Sequence, residues 1–193
     1  ETEFRLRKGY GDTMGSHVST EFVPLRIAVL TVSDTRTRQT DTSGKHLVES
    51  LQAAGHQYED KIICKDDIYE IRAFLSAWIS APEVKVVLVT GGTGFTSRDS
   101  TPEAITPLLD KTIDGFGELF RHLSYADIGT STVQSRALAG LANNTLVVAM
   151  PGSTGACELA WSGILREQLD SRHGPCNFVP HLAADAKCCE TRN

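Results

Sequence analysis

Apolar residues fall into four short strand-like runs, at 25–33, 57–64, 84–92 and 144–150. In "LRIAVLTVS" and "VKVVLVTGG", apolar and β-branched residues follow one another with little polar alternation, which is typical of parallel strands buried on both faces. The run 84–92 is the strongest and predicts a central strand. The run 57–64 carries more charge, so we expect it near an edge of the sheet.

Helix-like segments separate these runs. The clearest is 66–82, where apolar residues recur at three- and four-residue spacing: Ile68, Ile71, Leu75 and Trp78. In the segment 41–56, Leu47, Val48 and Leu51 share one face, and Gly55 provides a helix stop. Residues 101–110 predict a further helix with Thr101 as its cap and Pro102 in its first turn. We also expect helical pieces at 115–129 and 130–140 and a last helix at 153–169.

Strands that alternate with helices imply right-handed crossovers and a sheet covered on both faces. The predicted fold class is therefore α/β, a three-layer α/β/α sandwich with a mostly parallel central sheet. We expect a single domain at 21–182. We expect residues 1–20 to be a flexible N-terminal segment, partly added for expression, and 183–193 to be a flexible tail.

Composition narrows the class of partner. The chain has 193 residues, a net charge of −5 and dispersed lysines and arginines, so no broad basic field predicts binding to nucleic acid. Five cysteines in no metal-ligand or disulfide pattern indicate a reducing compartment. No run of transmembrane length or export leader is visible, so we expect a cytoplasmic protein that binds no membrane.

The unusual residues of the chain follow the predicted strands, at the edge of the sheet where α/β proteins bind ligands. Candidate binding residues come after the first, third and fourth strands: Ser33, Asp34, Ser43, Gly44, Gly91, Gly92, Thr93, Gly94, Pro151, Gly152 and Ser153. Glycines let a backbone approach a ligand, so that N–H groups can point at phosphate oxygens. Either turn alone could be only a tight connection to a helix. Together they favour a site for a phosphate or a pterin.

Two carboxylates at the same edge indicate a cation. Asp66 follows the second strand and Asp99 lies just past the glycine turn. Mg²⁺ binds through one or two carboxylates together with phosphate oxygens and water. The alternative is that Asp66 and Asp67 favour the helix dipole and Asp99 caps a turn. Arg98 could offset phosphate charge or simply face water.

Three common site classes are excluded by their motifs. The glycine turn lacks the G-x-x-x-x-G-K-[ST] pattern of P-loop proteins. It is not G-x-G-x-x-G and follows the third predicted strand, which argues against a nicotinamide dehydrogenase. The G-x-S-x-G elbow of hydrolases is also absent from the sequence.

Six sequence blocks in order carry a family resemblance: "LTVSDTR", "DTSG", "VVLVTGGTGFTSRDSTPEA", "GFGELFR", "GTSTVQSRALAG" and "LVVAMPGSTGAC". They cover nearly all of residues 25–170 and resemble the molybdopterin-binding MoaB/MogA family. The resemblance implies an α/β/α sandwich that forms homo-oligomers, trimers or hexamers. It also implies other proteins of cofactor biosynthesis as partners.

The activity implied by the resemblance is transfer of an adenylyl group from Mg-ATP to molybdopterin, with release of pyrophosphate. Asp66, or its neighbour Asp67, and Asp99 then match the family's two aspartates for catalysis and metal, with the glycine turn and the segment around Ser153 at the ligand. Mg²⁺ would accompany ATP, and molybdopterin would be the substrate. The alternative is a molybdopterin-binding or scaffold protein of the same pathway that catalyses nothing.

Overall fold

A six-stranded mixed sheet forms the centre of the computed structural model, which describes residues 19–182. Its strands are β1 (Arg26–Val32), β2 (Gln57–Cys64), β3 (Val86–Thr90), β4 (Lys111–Thr112), β5 (Leu138–Ala142) and β6 (Thr145–Met150). Their order across the sheet is β2-β1-β3-β6-β5-β4. The predictions for 1–18 and 183–193 lie outside the described residues.

The parallel part of the sheet positions the candidate site. β1 pairs in parallel with β2 and β3, and β3 pairs in parallel with β6. Every residue of β3 and β6 is buried, as expected of strands covered on both faces. β3 lies inside the sheet and β2 at its edge, which confirms both predictions.

Helices cover both faces of the sheet and confirm the three-layer fold. They are α1 (Thr42–Ala53), α2 (Ile68–Ser80), α3 (Thr101–Ile105), α4 (Asp114–Ile128), α5 (Thr154–Ala160) and α6 (Arg166–Gln168), with a π-helical turn (Trp161–Leu165) joining the last two. Side chains of α1, α4 and the last helical segment share one core with alternate strand residues. Side chains of α2 and α3 share the other core with the remaining ones.

The helical prediction for 130–140 is wrong. A 3₁₀ turn (Gly129–Gln134) is followed by β5, which pairs antiparallel with β6 and, on its other side, with the short strand β4. Asn143 and Asn144 join β5 to β6 with φ values of 47° and 63°. Two consecutive left-handed residues are what a tight hairpin needs, and asparagine tolerates that conformation. The sheet therefore has an antiparallel side that was not predicted.

The cap predicted at Thr101 is also wrong. Ser100 occupies the N-cap position of α3, and Thr101 is the first helical residue. Thr101 is fully buried, and its Oγ1 donates a hydrogen bond to the Gly91 carbonyl at 2.9 Å. The hydroxyl therefore attaches α3 to the glycine turn.

Two further features concern the described residues only. Among 19–182, no helix has both the length and the apolar character needed to cross a bilayer. Cys64 and Cys157 are buried as free thiols, and Cys176 is an exposed one. Burial raises the pKa of the Cys64 thiol to about 12 and that of Cys157 to about 11, so both stay protonated and unreactive at neutral pH.

Candidate functional site

Both packing and backbone conformation require glycine in the turn after β3. Gly91 and Gly92 have φ values of 103° and 62°. A side chain on Gly91 would collide with the Val32 carbonyl oxygen at the end of β1. A Cβ on Gly92 would lie 2.6 Å from Asp66 Oδ2 and would collide with Thr101 Oγ1. Only glycine therefore lets this turn lie between β1, α3 and Asp66.

The turn after β6 lies against the first. A Cβ on Gly152 would be 3.2 Å from the Cα of Gly91. Thr90 Oγ1 donates to the Pro151 carbonyl at 3.1 Å, which ties the ends of β3 and β6 together. Ser153 is exposed and caps α5, its Oγ accepting from the Ala156 N–H at 3.2 Å. The two turns meet because they follow adjacent parallel strands.

Backbone donors are available in both turns. The N–H groups of Gly92, Thr93, Gly152 and Ser153 donate no hydrogen bond to any group within residues 19–182. Gly92 is half-buried, Gly152 and Ser153 are exposed, and Thr93 is buried. Unpaired backbone donors in a concave turn are suited to an anion.

Asp66 is fixed beside the glycine turn. Its Oδ1 accepts hydrogen bonds from Ser100 N at 3.0 Å and from Ser100 Oγ at 2.6 Å. Its Oδ2 lies next to Gly92 and accepts no hydrogen bond from residues 19–182. Asp67 does something else: it caps α2, accepting from Tyr69 N at 2.8 Å and Glu70 N at 3.0 Å. The geometry favours Asp66 over Asp67 as the carboxylate at the turn.

Asp99 stabilises the far end of residues 91–99, which begin with the glycine turn and are here called the glycine loop. Its Oδ2 accepts from Thr96 N at 2.8 Å and from Thr96 Oγ1 at 2.7 Å. Burial raises the pKa of the Asp99 carboxyl, but these hydrogen bonds and the charge of Arg136 outweigh it, so the pKa lies below 3.8. The carboxylate is therefore ionised at neutral pH.

Arg136 holds the loop from the other side, and the sequence did not single it out. Its N–H donates to Thr93 O at 3.0 Å, its Nε to Gly94 O at 2.7 Å and its Nη2 to Asp99 O at 2.9 Å. It also forms an ion pair with Glu103 in α3. Three carbonyl contacts make it a clamp on the loop. The sequence did not reveal this role, because residues 130–140 were predicted to be helical. Arg136 reaches the loop only because the segment before β5 is extended.

The predicted residues directly after β1 bind neighbouring groups of the chain. Ser33 Oγ accepts from Thr35 N at 3.3 Å and from Arg36 N at 3.2 Å, which shapes the loop. Asp34 is exposed and pairs with Arg98. Its Oδ1 also accepts from Asp66 N at 3.3 Å, so it stands beside the carboxylate at the turn.

Ser43 and Gly44 are buried against Asp41 rather than exposed at the turns. Gly44 N donates to Asp41 Oδ1 at 2.9 Å, and Ser43 Oγ donates to the same atom at 3.3 Å. Lys61 Nζ lies 2.7 Å from Asp41 Oδ2, and Thr31 Oγ1 donates to that oxygen at 2.9 Å. This buried network fixes the start of α1, and the roles of Ser43 and Gly44 in binding stay predictions.

Two cavities border the turns. The first, here the loop cavity, has a volume of about 370 Å³ and is lined by Phe95, Asp99, Ser100 and Arg136 among others. The second, here the helix cavity, has a volume of about 320 Å³ and lies between α4 and the turn 151–153. Arg136 lines the first and its neighbour Ser135 lines the second, so this segment separates the two.

A magnesium ion fits this site only together with a ligand. Within residues 19–182, no three His, Cys, Asp or Glu side chains are grouped as in a site made of protein ligands alone. Mg²⁺ commonly takes one or two carboxylates and completes its shell with phosphate oxygens and water. Asp66, which accepts two hydrogen bonds from Ser100, and Asp99, the residue before Ser100, are the two candidate carboxylates, and the unpaired Oδ2 of Asp66 is suited to such a cation.

Sequence comparisons identify relatives of this chain. A family described as "Probable molybdopterin binding domain" matches residues 28–171. Molybdenum cofactor biosynthesis protein B of Escherichia coli K12 is 59% identical over 167 residues, which is 86% of this chain and 98% of that protein. The protein of the same name from Staphylococcus carnosus is 46% identical over 162 residues, 82% of this chain and 95% of that protein.

Solved structures show the same fold. A crystal structure of molybdenum cofactor biosynthesis protein B has a TM-score of 0.74 at 46% identity, covering 76% of this chain and 92% of that one. The tungsten cofactor synthesizing protein MoaB from Pyrococcus furiosus has a TM-score of 0.68 at 36% identity, covering 75% and 92%. With a family match over 28–171 and a relative of 59% identity, the chain belongs to the molybdopterin-binding MoaB/MogA family.

Proposed function

We propose that the protein acts in molybdenum cofactor biosynthesis, where it binds molybdopterin and adenylylates it with Mg-ATP, releasing pyrophosphate. Its relatives are named for that pathway. One observation carries the proposal. Two turns that touch carry four unpaired backbone N–H groups, and one of these residues, Gly92, lies beside the carboxylate of Asp66. Donors for phosphate and a carboxylate for its counter-cation are then in one place.

The reaction needs positioning more than a side-chain nucleophile. An oxygen of the molybdopterin phosphate attacks the α-phosphorus of ATP, a phosphoanhydride bond forms, and the bond to the β-phosphate oxygen breaks, so that pyrophosphate leaves. The N–H groups of Gly92 and Gly152 bind phosphate oxygens as negative charge develops. Mg²⁺, when bound to ATP, neutralises phosphate charge, and Asp66 and Asp99 would hold it.

Arg98 can also offset the negative charge of the bound phosphates. Its ion pair with Asp34 is exposed, with 71% of the Arg98 side chain accessible. Exposed ion pairs contribute little free energy, so Arg98 can leave Asp34 for another anion at little cost. A phosphate that arrives at the turn can draw the guanidinium away from Asp34. Without a ligand, attraction to Asp34 keeps the arginine near the site.

A non-catalytic molybdopterin-binding or scaffold protein is the second candidate, and one observation favours it. Asp66 Oδ1 and Asp99 Oδ2 are already engaged by Ser100 and Thr96 in the described structure. A site whose carboxylates serve to fix a loop could hold the pterin without reacting. This candidate keeps the binding residues and assigns no catalytic role to the two aspartates.

The Asp66 assignment is tested with a matched pair of variants. In Asp66→Asn, pyrophosphate release from Mg-ATP and molybdopterin should fall on the order of a hundredfold, because a hard anionic ligand is lost. Asp67→Asn is the control, since asparagine caps a helix as well as aspartate does, and its turnover should match the wild type. Equal loss in both variants would contradict the assignment of Asp66.

We further propose a cytoplasmic homo-oligomer, a trimer or hexamer. Of the four apolar residues in 116–123, Phe116 and Phe120 are buried in the core, whereas Leu119 remains 43% exposed. Ile128 and Val133, near the end of α4, are also exposed. Light scattering at micromolar concentration should report the oligomer, and a monomer would contradict it.

A further inference from the structure

Residues 19–24, here the strap, cross the surface of the protein before β1 and are held there by one serine. Ser171 is buried, and its Oγ accepts from Val23 N at 2.9 Å and donates to Glu21 O at 2.7 Å. The Ser171 carbonyl accepts from Ser19 N at 3.0 Å. A single residue therefore makes three hydrogen bonds along the length of the strap.

The base of the strap depends on His56. Its Nδ1 accepts a hydrogen bond from Leu25 N at 3.2 Å, and the Leu25 carbonyl accepts from Gln57 N at 2.9 Å. The bond from Gln57 ties Leu25 to the start of β2, so Leu25 is the hinge at which the strap joins the sheet. A neutral imidazole nitrogen can accept from an N–H, but a protonated one can only donate.

Phe22 covers the His56 ring from the strap. The two ring centroids lie 5.2 Å apart. The Arg172 guanidinium lies 5.1 Å from the centroid of Phe22, and Trp161 meets His56 edge-on with its centroid at 6.4 Å. Lifting the strap would remove Phe22 from the histidine and leave Trp161 in place, so that water could reach the ring.

Five charged residues lie on or beside the strap and its hinge: Glu21, Arg26, Glu59, Asp170 and Arg172. Arg26 pairs with Glu59, and Arg172 with Asp170. Hydrogen bonds from Arg172 lower the pKa of Asp170 to about 2, so this carboxylate is ionised in mild acid and attracts a protonated His56. Burial lowers the pKa of His56 more than Asp170 raises it. The closed strap therefore favours the neutral ring, and an open strap favours the protonated one.

We propose that the strap is a pH-sensitive switch, in which protonation of His56 releases residues 19–24 while the sheet stays folded. Protonation turns Leu25 N–H and His56 Nδ1 into two donors that face each other at 3.2 Å. Release of the strap ends this conflict and lets water solvate the charge. The strap also lines a cavity of about 330 Å³ together with Val179 and Leu182, so its release opens that cavity. The proposal does not depend on the proposed function.

Hydrogen exchange of the full chain tests the switch at the amides of Ser19, Val23 and Leu25, with each rate divided by the intrinsic rate at the same pH. Opening at these amides should increase several-fold from pH 7.5 to pH 5.5. The limit is about tenfold, because pH 5.5 is one unit below the pKa of about 6.5 of an accessible histidine. The same amides should exchange faster than those of β3 at both pH values, since only the strap opens. No increase, or rates equal to those of β3, would overturn the proposal.

His56→Gln separates the proton from the hydrogen bond. Glutamine can still accept from Leu25 N but does not titrate, so the increase in exchange between pH 7.5 and pH 5.5 should disappear. His122→Gln, at an exposed position, is the matched control and should retain the full increase. An increase that persists in His56→Gln, or that disappears in both variants, would show that His56 is not the switch.

Ser171→Ala tests the strap without touching the histidine. The substitution removes both hydrogen bonds of the Oγ, so opening at Val23 should increase by about tenfold at both pH values while its dependence on pH remains. Ser162→Ala is the control, because the Ser162 hydroxyl bonds only to Glu158 O within its own helical segment. Exchange at Val23 that is unchanged in Ser171→Ala would contradict the strap as a unit that opens by itself.

Discussion

Asp41 shows how a single residue organises the start of α1. Its side chain is 0% exposed, and burial alone would raise the pKa of its carboxyl. Hydrogen bonds from Lys61, Gly44 and Thr31 outweigh burial and lower the pKa below 3.8. A buried charge of this kind depends on all of its partners, because any partner that is lost leaves a desolvated group without compensation.

Replacing Lys61 with methionine should therefore destabilise the fold. Lys61→Met keeps the apolar stem and removes the charge from an ion pair whose carboxylate is fully buried, so the free energy of unfolding should fall by about 3 kcal/mol. Lys45→Met is the control, since Lys45 and Glu49 are 71% and 63% exposed, and it should cost about 0.5 kcal/mol or less. Urea denaturation measures both, and equal effects would contradict this account of Asp41.

His56 should make stability fall in mild acid. It is 6% exposed, its Nδ1 accepts from Leu25 N at 3.2 Å, and its ring packs against Phe22 and Trp161. Burial lowers the pKa of His56 below 6.5 despite the opposing charge of Asp170. A lowered pKa in the folded state means that the unfolded state binds the proton first, so stability is complete above pH 6.5 and is lost as the pH falls towards the folded pKa.

The measurement is the free energy of unfolding between pH 7.5 and 5, compared with the variant His56→Gln. Glutamine can still accept from Leu25 N but does not titrate, so the slope over this range should decrease. His122→Gln is the control, because His122 is exposed. A slope that is unchanged in His56→Gln, or removed equally by both variants, would be inconsistent with this role.

At the scale of elements, the glycine loop is held by a segment far from it in sequence. Arg136 donates to the carbonyls of Gly94 and Asp99, at opposite ends of the exposed part of the loop. α3 adds the bond from Thr101 to Gly91. The loop is therefore organised before any ligand arrives, which reduces the entropy that binding must remove.

Replacing Arg136 with lysine should loosen this loop. A lysine keeps the charge but cannot donate in three directions from one plane, so Arg136→Lys should increase hydrogen exchange of amides in 93–99 by about tenfold. Arg38→Lys, at an exposed position, is the control and should leave exchange in 93–99 as it is. Unchanged exchange in Arg136→Lys would mean that the loop does not depend on the clamp.

These elements also show which parts of the fold could be predicted from the sequence. Uninterrupted apolar runs predicted β1, β3 and β6, because strands buried on both faces have no polar alternation. β5, with the small residues "LAGLA", has no such signature and is set by its hairpin to β6. Since Ser135 and Arg136 depend on where that hairpin places them, neither could be found from local pattern. The turn residues could be found, because they follow predicted strands directly.

At the scale of the whole molecule, the parallel half of the sheet brings the ends of β1, β2, β3 and β6 to one edge, and the antiparallel half carries the segment that closes the site. The family's blocks lie along both halves of the sheet, from 25 to 170. The sequence therefore located the two turns that meet at this edge and the carboxylate of Asp66 next to them, and their binding of phosphate and metal stays a prediction. The helix cavity depends on packing between α4, α5 and Ser135, and the loop cavity on packing between α3, the glycine loop and Arg136, so no single block contains either of them.

The central claim is that Asp99 helps to hold Mg²⁺ against ATP while molybdopterin reacts. The most direct test measures pyrophosphate release across a magnesium titration in the wild type and in Asp99→Asn, with molybdopterin affinity measured in parallel. Asp114→Asn, exposed at the start of α4, is the control and should turn over as the wild type does. We predict magnesium-dependent release in the wild type, a loss on the order of a hundredfold in Asp99→Asn, and nearly unchanged molybdopterin affinity. Wild-type turnover in Asp99→Asn, or no magnesium-dependent release in the wild type, would contradict the claim.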